Sequence, residues 1–167
     1  MRPSAAARQR RADRPYPGGS PGPVPGPDRP RCWWAGMEVR ELMQTPVVSA
    51  RAHETLCAAA ARMRDYGIGA LAVVDDGGGL LGIVTERDLL HAMADGRASG
   101  FTRIEGYMSR PPVAVEPEAD CAAAARLMVR HGIRHLPVTR AGRPVGMVTA
   151  RDLLLVQAWR EAAAATP

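Results

Sequence analysis

Apolar and polar positions along this chain switch between two periods. From Leu56 the spacing is helical: Leu56, Ala60 and Met63 fall at i, i+4 and i+7. Thr55 stands at the N-cap position, where its hydroxyl accepts a backbone N–H that the first turn leaves unpaired. Gly67 stands where a left-handed residue ends the helix. Leu71-Ala72-Val73-Val74 is then an apolar run of strand length, and Leu80-Leu81-Gly82-Ile83-Val84 is its return strand. Asp76-Gly77-Gly78-Gly79 between them predicts a hairpin turn with positive φ. Thr85 caps a second helix, Glu86 to about Ala94. Upstream, Val39–Met43 predicts a short helical lead-in, Pro46 ends it, and Val47-Val48 predicts a short strand. The order is strand, helix, strand, strand, helix.

The same order then returns. Met43-Gln44-Thr45-Pro46 is answered by Met108-Ser109-Arg110-Pro111. Met63, Gly67, Ile68, Leu71 and Val73 recur 65 positions later as Met128, Gly132, Ile133, Leu136 and Val138. Gly82-Ile83-Val84-Thr85-Glu86-Arg87-Asp88-Leu89-Leu90 recurs as Gly146-Met147-Val148-Thr149-Ala150-Arg151-Asp152-Leu153-Leu154 after one deleted residue. The second copy therefore predicts a strand at Val113-Ala114-Val115, a helix over Cys121–His131, strands at His135–Thr139 and Val145–Val148 turned by Gly142, and a helix from Ala150 to about Ala165. Arg97–Tyr107 links the copies, with a helical turn before Met108. Repetition at this period means two copies of one supersecondary unit completing a shared core. The expected fold is α+β: two pseudo-symmetric β-α-β-β-α repeats, residues 38–95 and 104–160, packed as one module. Pockets between them should come as a pseudo-symmetric pair.

Residues 1–36 read differently. They hold eight of the fifteen prolines and five glycines, a composition that sustains neither helix nor strand, so a disordered tail is expected. The favoured reading is an untranslated leader with the start at Met37, where ordered sequence begins. The alternative is a basic arm for nucleic acid or acidic lipid, and the adjacent Trp33 and Trp34 argue against a meaningless leader. The tail carries seven Arg and two Asp; the other 131 residues balance 15 Arg against 15 acids. The high pI thus belongs to the tail, and the repeats offer no net charge for nucleic acid. No apolar run of about 18 residues predicts a membrane span, and no apolar leader predicts secretion. Cys32, Cys57 and Cys121 form no C-x-x-C pair, and the last two are read as small buried hydrophobes in a reducing cytoplasm. His131 and His135 straddle the Gly132 helix stop, and His53 and His91 read as surface residues, so no metal site is expected. Gly77-Gly78-Gly79 joins two strands and is a turn, not a phosphate loop.

Three sub-motifs, each present twice and in order, resemble the CBS domain family, and the pair resembles a Bateman module. They are Met-x-x-Pro-x-Val at 43–48 and 108–113, Gly-Ile-x-x-Leu-x-Val at 67–73 and 132–138, and Gly-hydrophobic-Val-Thr-x-Arg-Asp-Leu-Leu at 82–90 and 146–154. The resemblance implies clefts between the copies for adenosine-containing ligands: AMP, ADP, ATP or S-adenosylmethionine, with NAD or cyclic dinucleotides in some members. It implies that the Asp of Thr-x-x-Asp accepts ribose hydroxyls and the Thr contacts ribose or phosphate. Here those are Asp152 with Thr149, and Asp88 with Thr85. In the second copy Arg134 is implied as a phosphate contact, Ile133 and Val113 as flanks of an adenine, with His135 and Pro112 beside them; in the first copy Val47 and Ile68 take the matching places. The chemistry is sound, since one carboxylate accepts both donors of a vicinal diol, and a helix N-terminus offers free N–H groups to phosphate. The same Thr-x-x-Asp is also an ordinary capping box, and both roles are open to the same residues.

The first copy has Gly69, Ala70 and Ala72 where the second has Arg134, His135 and Pro137. The cleft built around Thr85 and Asp88 is therefore expected to be the empty or selective one. The leading expectation is a stand-alone cytoplasmic sensor. It would be a homodimer through apolar helix surfaces, Leu155 and Trp159 included, acting on a regulated protein in trans. It would need no cofactor and have no catalytic activity, since no nucleophile–base pair, metal motif or hydride-cofactor fingerprint is present. The alternatives are a structural module with empty clefts, and a nucleic-acid binder working through the basic tail.

Overall fold

A parallel pair of strands and an antiparallel hairpin make the first sheet. The computed structural model describes residues 36–97 and 100–154. Strand β1 (Ser49–Arg51) runs parallel to β2 (Ala70–Val74), and β2 returns antiparallel as β3 (Leu80–Thr85). Helix α1 (Leu56–Tyr66) connects β1 to β2, and α2 (Glu86–Ala94) follows β3. The second copy has α3 (Cys121–His131) and the hairpin β4 (His135–Arg140) and β5 (Arg143–Thr149); residues 150–154 begin a further helix. Matching 3-10 turns at Val39–Glu41 and Ile104–Gly106 lead into the copies.

Local chemistry sets these ends, with Thr55, Gly67 and Gly132 in the expected roles and Asp120 as a cap the sequence reading did not name. Thr55 Oγ1 accepts the Ala58 N–H at 3.2 Å, and Asp120 caps α3 through Ala122 and Ala123. Gly67 and Gly132 stop α1 and α3 with φ of 64° and 62°, a conformation that costs other residues a Cβ clash. In the first hairpin only Gly78 takes the positive φ expected of the turn.

Some details differ from the sequence reading. The first strand starts beyond Val47-Val48: Ala50 is buried in the core, paired with Val73 on β2, while Val48 packs half-buried against that core and its carbonyl accepts the Ala72 N–H. Its counterpart at Val113–Val115 shrinks to one bridge, Val115 to Val138. The buried stripe of α1 is Leu56, Ala59 and Met63; Ala60 is half-buried. Cys121 is buried as expected, whereas Cys57 faces outward from α1. The tail up to position 35, with Cys32, Trp33 and Trp34, lies outside the described residues, as do Leu155 and Trp159.

The copies also exchange their lead-ins. Val39 is fully buried in the second core, with Cys121, Ala124, Leu136 and Val148. Ile104 and Met108 are buried in the first, with Leu71, Val73 and Val84. Burying one such aliphatic side chain contributes about 1.5–3 kcal/mol. Beyond each lead-in the chain pairs with the other copy's last strand: Gln44 with Met147 on β5, and Ser109 with Ile83 on β3. Both crossings pass a glycine at close range. A Cβ on Gly82 would stand 2.6 Å from the Ser109 carbonyl oxygen, and one on Gly146 would stand 2.8 Å from Met43 Sδ.

Candidate functional site

The exchange brings residues of both copies to one cleft of about 480 Å³, within the usual range for a small-molecule site. One wall is apolar and comes from the first copy: Val47 and Val48, just after the Thr45–Pro46 cis peptide, and Ile68, just after the Gly67 stop. The other wall comes from the second copy: Arg134 and His135 at the start of β4, Thr149 at the end of β5, and Arg151 in the helix that follows.

Thr149 and Asp152 form a tight unit. Asp152 Oδ2 accepts from the Thr149 backbone N–H and from its Oγ1, both at 2.8 Å. Oδ1 accepts from Gln44 Nε2 at 3.1 Å. Asp88 Oδ2 repeats the first arrangement with Thr85, again at 2.8 Å twice. Burial raises the Asp88 carboxyl above its ordinary range, and the two Thr85 hydrogen bonds oppose that.

The helix start offers fewer free amides than the sequence suggests. The Ala150 N–H donates to the Arg134 carbonyl at 2.9 Å, and the Asp152 N–H to Thr149 Oγ1 at 3.3 Å. Charge for an anion must come mainly from side chains. Arg134 and Arg151 supply two guanidinium groups against the single carboxylate of Glu86. Glu86 and His135 meet over the bare face of Gly69, with Oε2 at 3.1 Å and Nε2 at 3.4 Å from where a Cβ would lie. Burial holds the His135 imidazole below its ordinary pKa, helped by Arg134 and opposed by Glu86 and Asp152.

Of the residues singled out in the sequence, Val47, Ile68, Arg134, His135 and Thr149 line this cleft together, with Asp152 bonded behind Thr149. Pro112, Val113, Ile133, Thr85 and Asp88 do not line it. The repeat offset carries Val47, Val48, Ile68 and Thr149 onto Pro112, Val113, Ile133 and Thr85. The pairing of Val113 and Ile133 with Thr149 is thus replaced: the apolar wall facing Thr149 is Val47, Val48 and Ile68. Gln44, Glu86 and Arg151 were not anticipated. Gln44 and Glu86 occupy variable positions inside the repeated motifs, where they differ from Ser109 and Ala150; Arg151 is the repeated Arg of the third motif, matched by Arg87.

Residues 39–95 and 104–158 each match the family profile of the CBS domain. The chain belongs to the CBS domain family. Its CBS pair resembles the crystallised CBS domain pair of protein MJ0100 in complex with 5′-methylthioadenosine and S-adenosyl-L-methionine, with a TM-score of 0.70 and 26% identity over 74% of this chain and 97% of that one. The CBS domain-containing protein YhcV of Bacillus subtilis is 35% identical over 126 residues, 75% of this chain and 89% of YhcV. Protein MK0525 of Methanopyrus kandleri is 33% identical over 123 residues, and there the CBS pair spans 63% of the relative's length. Among the described residues no helix of this CBS pair is long and apolar enough to cross a membrane, and no group of three or more His, Cys, Asp or Glu is arranged to hold a metal ion.

Proposed function

We propose that this CBS pair is a cytoplasmic regulatory sensor without catalytic activity. It takes an adenosine-containing ligand between its repeats and passes the ligand state to a partner protein in trans. The observation that carries the reading is the composite cleft. An apolar wall suited to a purine faces a Thr149–Asp152 unit suited to a ribose, with Arg134 and Arg151 beside it for phosphate. The ligands bound by the MJ0100 pair support the adenosine part. AMP, ADP, ATP and S-adenosylmethionine are the proposed ligands, each acting as a regulator and not as a required cofactor. The pseudo-symmetric set around Thr85, Asp88, Pro112, Val113 and Ile133 is the proposed second cleft.

A homodimer is part of this reading. Leu90 and Leu154, at equivalent repeat positions, are 63% and 65% exposed, so each copy carries the same apolar spot on a helix. Sedimentation of the full chain tests it, and a monomer at all concentrations would remove that part.

The central test is thermal unfolding of the full chain with AMP, ADP, ATP, S-adenosylmethionine and 5′-methylthioadenosine. A ligand at 100 times its Kd adds about 2.7 kcal/mol to the folded state. A shift that vanishes in Asp152→Ala is expected. Unchanged curves across the panel would overturn the reading for these ligands.

A further inference from the structure

A carboxylate offers roughly four lone-pair sites, and at Asp152 three are engaged. Oδ2 accepts twice from Thr149, and Oδ1 accepts the side-chain amide of Gln44 at 3.1 Å. Gln44 is held there by its backbone. Its N–H donates to the Met147 carbonyl at 2.8 Å, and its carbonyl accepts the Met147 N–H at 3.1 Å. Gln44 is among the residues that line the cleft.

The other copy keeps the backbone and lacks the contact. Ser109 pairs with Ile83 through the equivalent two bonds, at 2.9 and 3.2 Å. Its short hydroxymethyl group makes no hydrogen bond to Asp88 among the described residues, where the carboxylate accepts only from Thr85.

We propose that Gln44 is an intramolecular competitor for the ribose at Asp152. A vicinal diol brings two donors, and Asp152 has about one acceptor position left for them. Bidentate ribose binding therefore displaces the Gln44 amide. Asp88, whose Oδ1 accepts no hydrogen bond among the described residues, would take a diol without displacing a side-chain amide. The latch sets the two clefts apart in affinity, and it joins occupancy of the Asp152 cleft to the exchanged lead-in that carries Gln44. The inference rests on the ribose role of Asp152 proposed above.

The test is calorimetric titration of the full chain with AMP and, separately, with S-adenosylmethionine. The proteins are the wild type, Gln44→Ala, Gln44→Ser and Asp152→Ala. Gln44 is exposed, so both of its variants should fold, and their melting curves check this. The amide donates to a carboxylate in an exposed position, and a solvent-weakened hydrogen bond of modest net strength predicts binding about two- to tenfold tighter in Gln44→Ala. Gln44→Ser, which imports the residue of the other copy, should follow it. Binding that is lost in Asp152→Ala but unchanged or weaker in both Gln44 variants overturns the competitor and leaves the sensor reading standing. No binding of either probe in the wild type and the Gln44 variants alike overturns both together.

Discussion

The Val39 amide donates to the Ala119 carbonyl at 2.8 Å, so the lead-in of the first repeat is built into the second. Val39 itself is 0% exposed. Val39→Ala should therefore destabilise the whole module by about 1–3 kcal/mol, from lost burial and the cavity left behind. Urea unfolding checks this: the midpoint should fall with the slope unchanged. A loss under a few tenths of a kcal/mol would mean that the lead-in is not a core element.

The two crossing glycines should differ in sensitivity. A Cβ at Gly82 meets a backbone oxygen at 2.6 Å, which yields only if the strand moves. At Gly146 the nearest atom is the flexible Met43 sulfur, with the Gln44 backbone oxygen at 3.1 Å. Gly82→Ala should cost about 1–3 kcal/mol and Gly146→Ala less. Thermal unfolding of the two variants side by side decides the order.

Arg134→Ala should separate ligands by charge. The residue is exposed and carries a guanidinium into the cleft, so stability should change by less than about 0.5 kcal/mol. A charge-assisted contact is worth about 1.5–3 kcal/mol. AMP binding should weaken about tenfold or more, while 5′-methylthioadenosine, which has no phosphate, should bind nearly as before. Equal losses for both would assign Arg134 to the shape of the cleft and not to phosphate.

Two groups give the stability a pH dependence of opposite sign. His135 is held below its ordinary 6.5 by burial first and then by Arg134. Below pH 6.5 the unfolded chain takes up the proton before the folded one, so stability falls as the pH drops from 6.5 toward the folded value. Asp88 is raised above 3.8 by burial, so its contribution is full below that pH and is lost as pH rises through the folded value. Unfolding curves from pH 7.5 to 3.5 should show the first slope flattened in His135→Gln and the second flattened in Asp88→Asn.

Much of the fold is legible in the residues because its signals are local. Thr55 and Gly67 bracket α1, and Asp120 and Gly132 bracket α3, since caps and left-handed stops act within a few residues. The hairpins follow from apolar runs around turns. The shift of β1 to Ser49–Arg51 was not legible. Val47-Val48 is the β-branched pair that reads as strand, whereas alanine is a weak strand former, and only the pairing with Val73 places Ala50 in the core.

The cleft was legible as a set of parts. Val47, Ile68, Arg134, His135 and Thr149 are all named through the family resemblance, Ile68 and Thr149 at repeated positions and the others where the copies differ, and all five line one cleft. Their partition was not legible, because reading each motif with its own copy pairs Thr149 with Val113 and Ile133.

The chain by itself determined the two units, their order of elements and the residue types that face each other, because period, capping and turn chemistry are properties of neighbouring residues. Tertiary structure alone decided that Val39 packs with Leu136 and Ile104 with Leu71, and hence which apolar wall meets which Thr-x-x-Asp. Two repeats with the same order of elements offer the same sheet edge and the same core position twice, so local pattern is degenerate between keeping a lead-in and exchanging it. The close crossings at Gly82 and Gly146 are the local features that fit the exchanged arrangement.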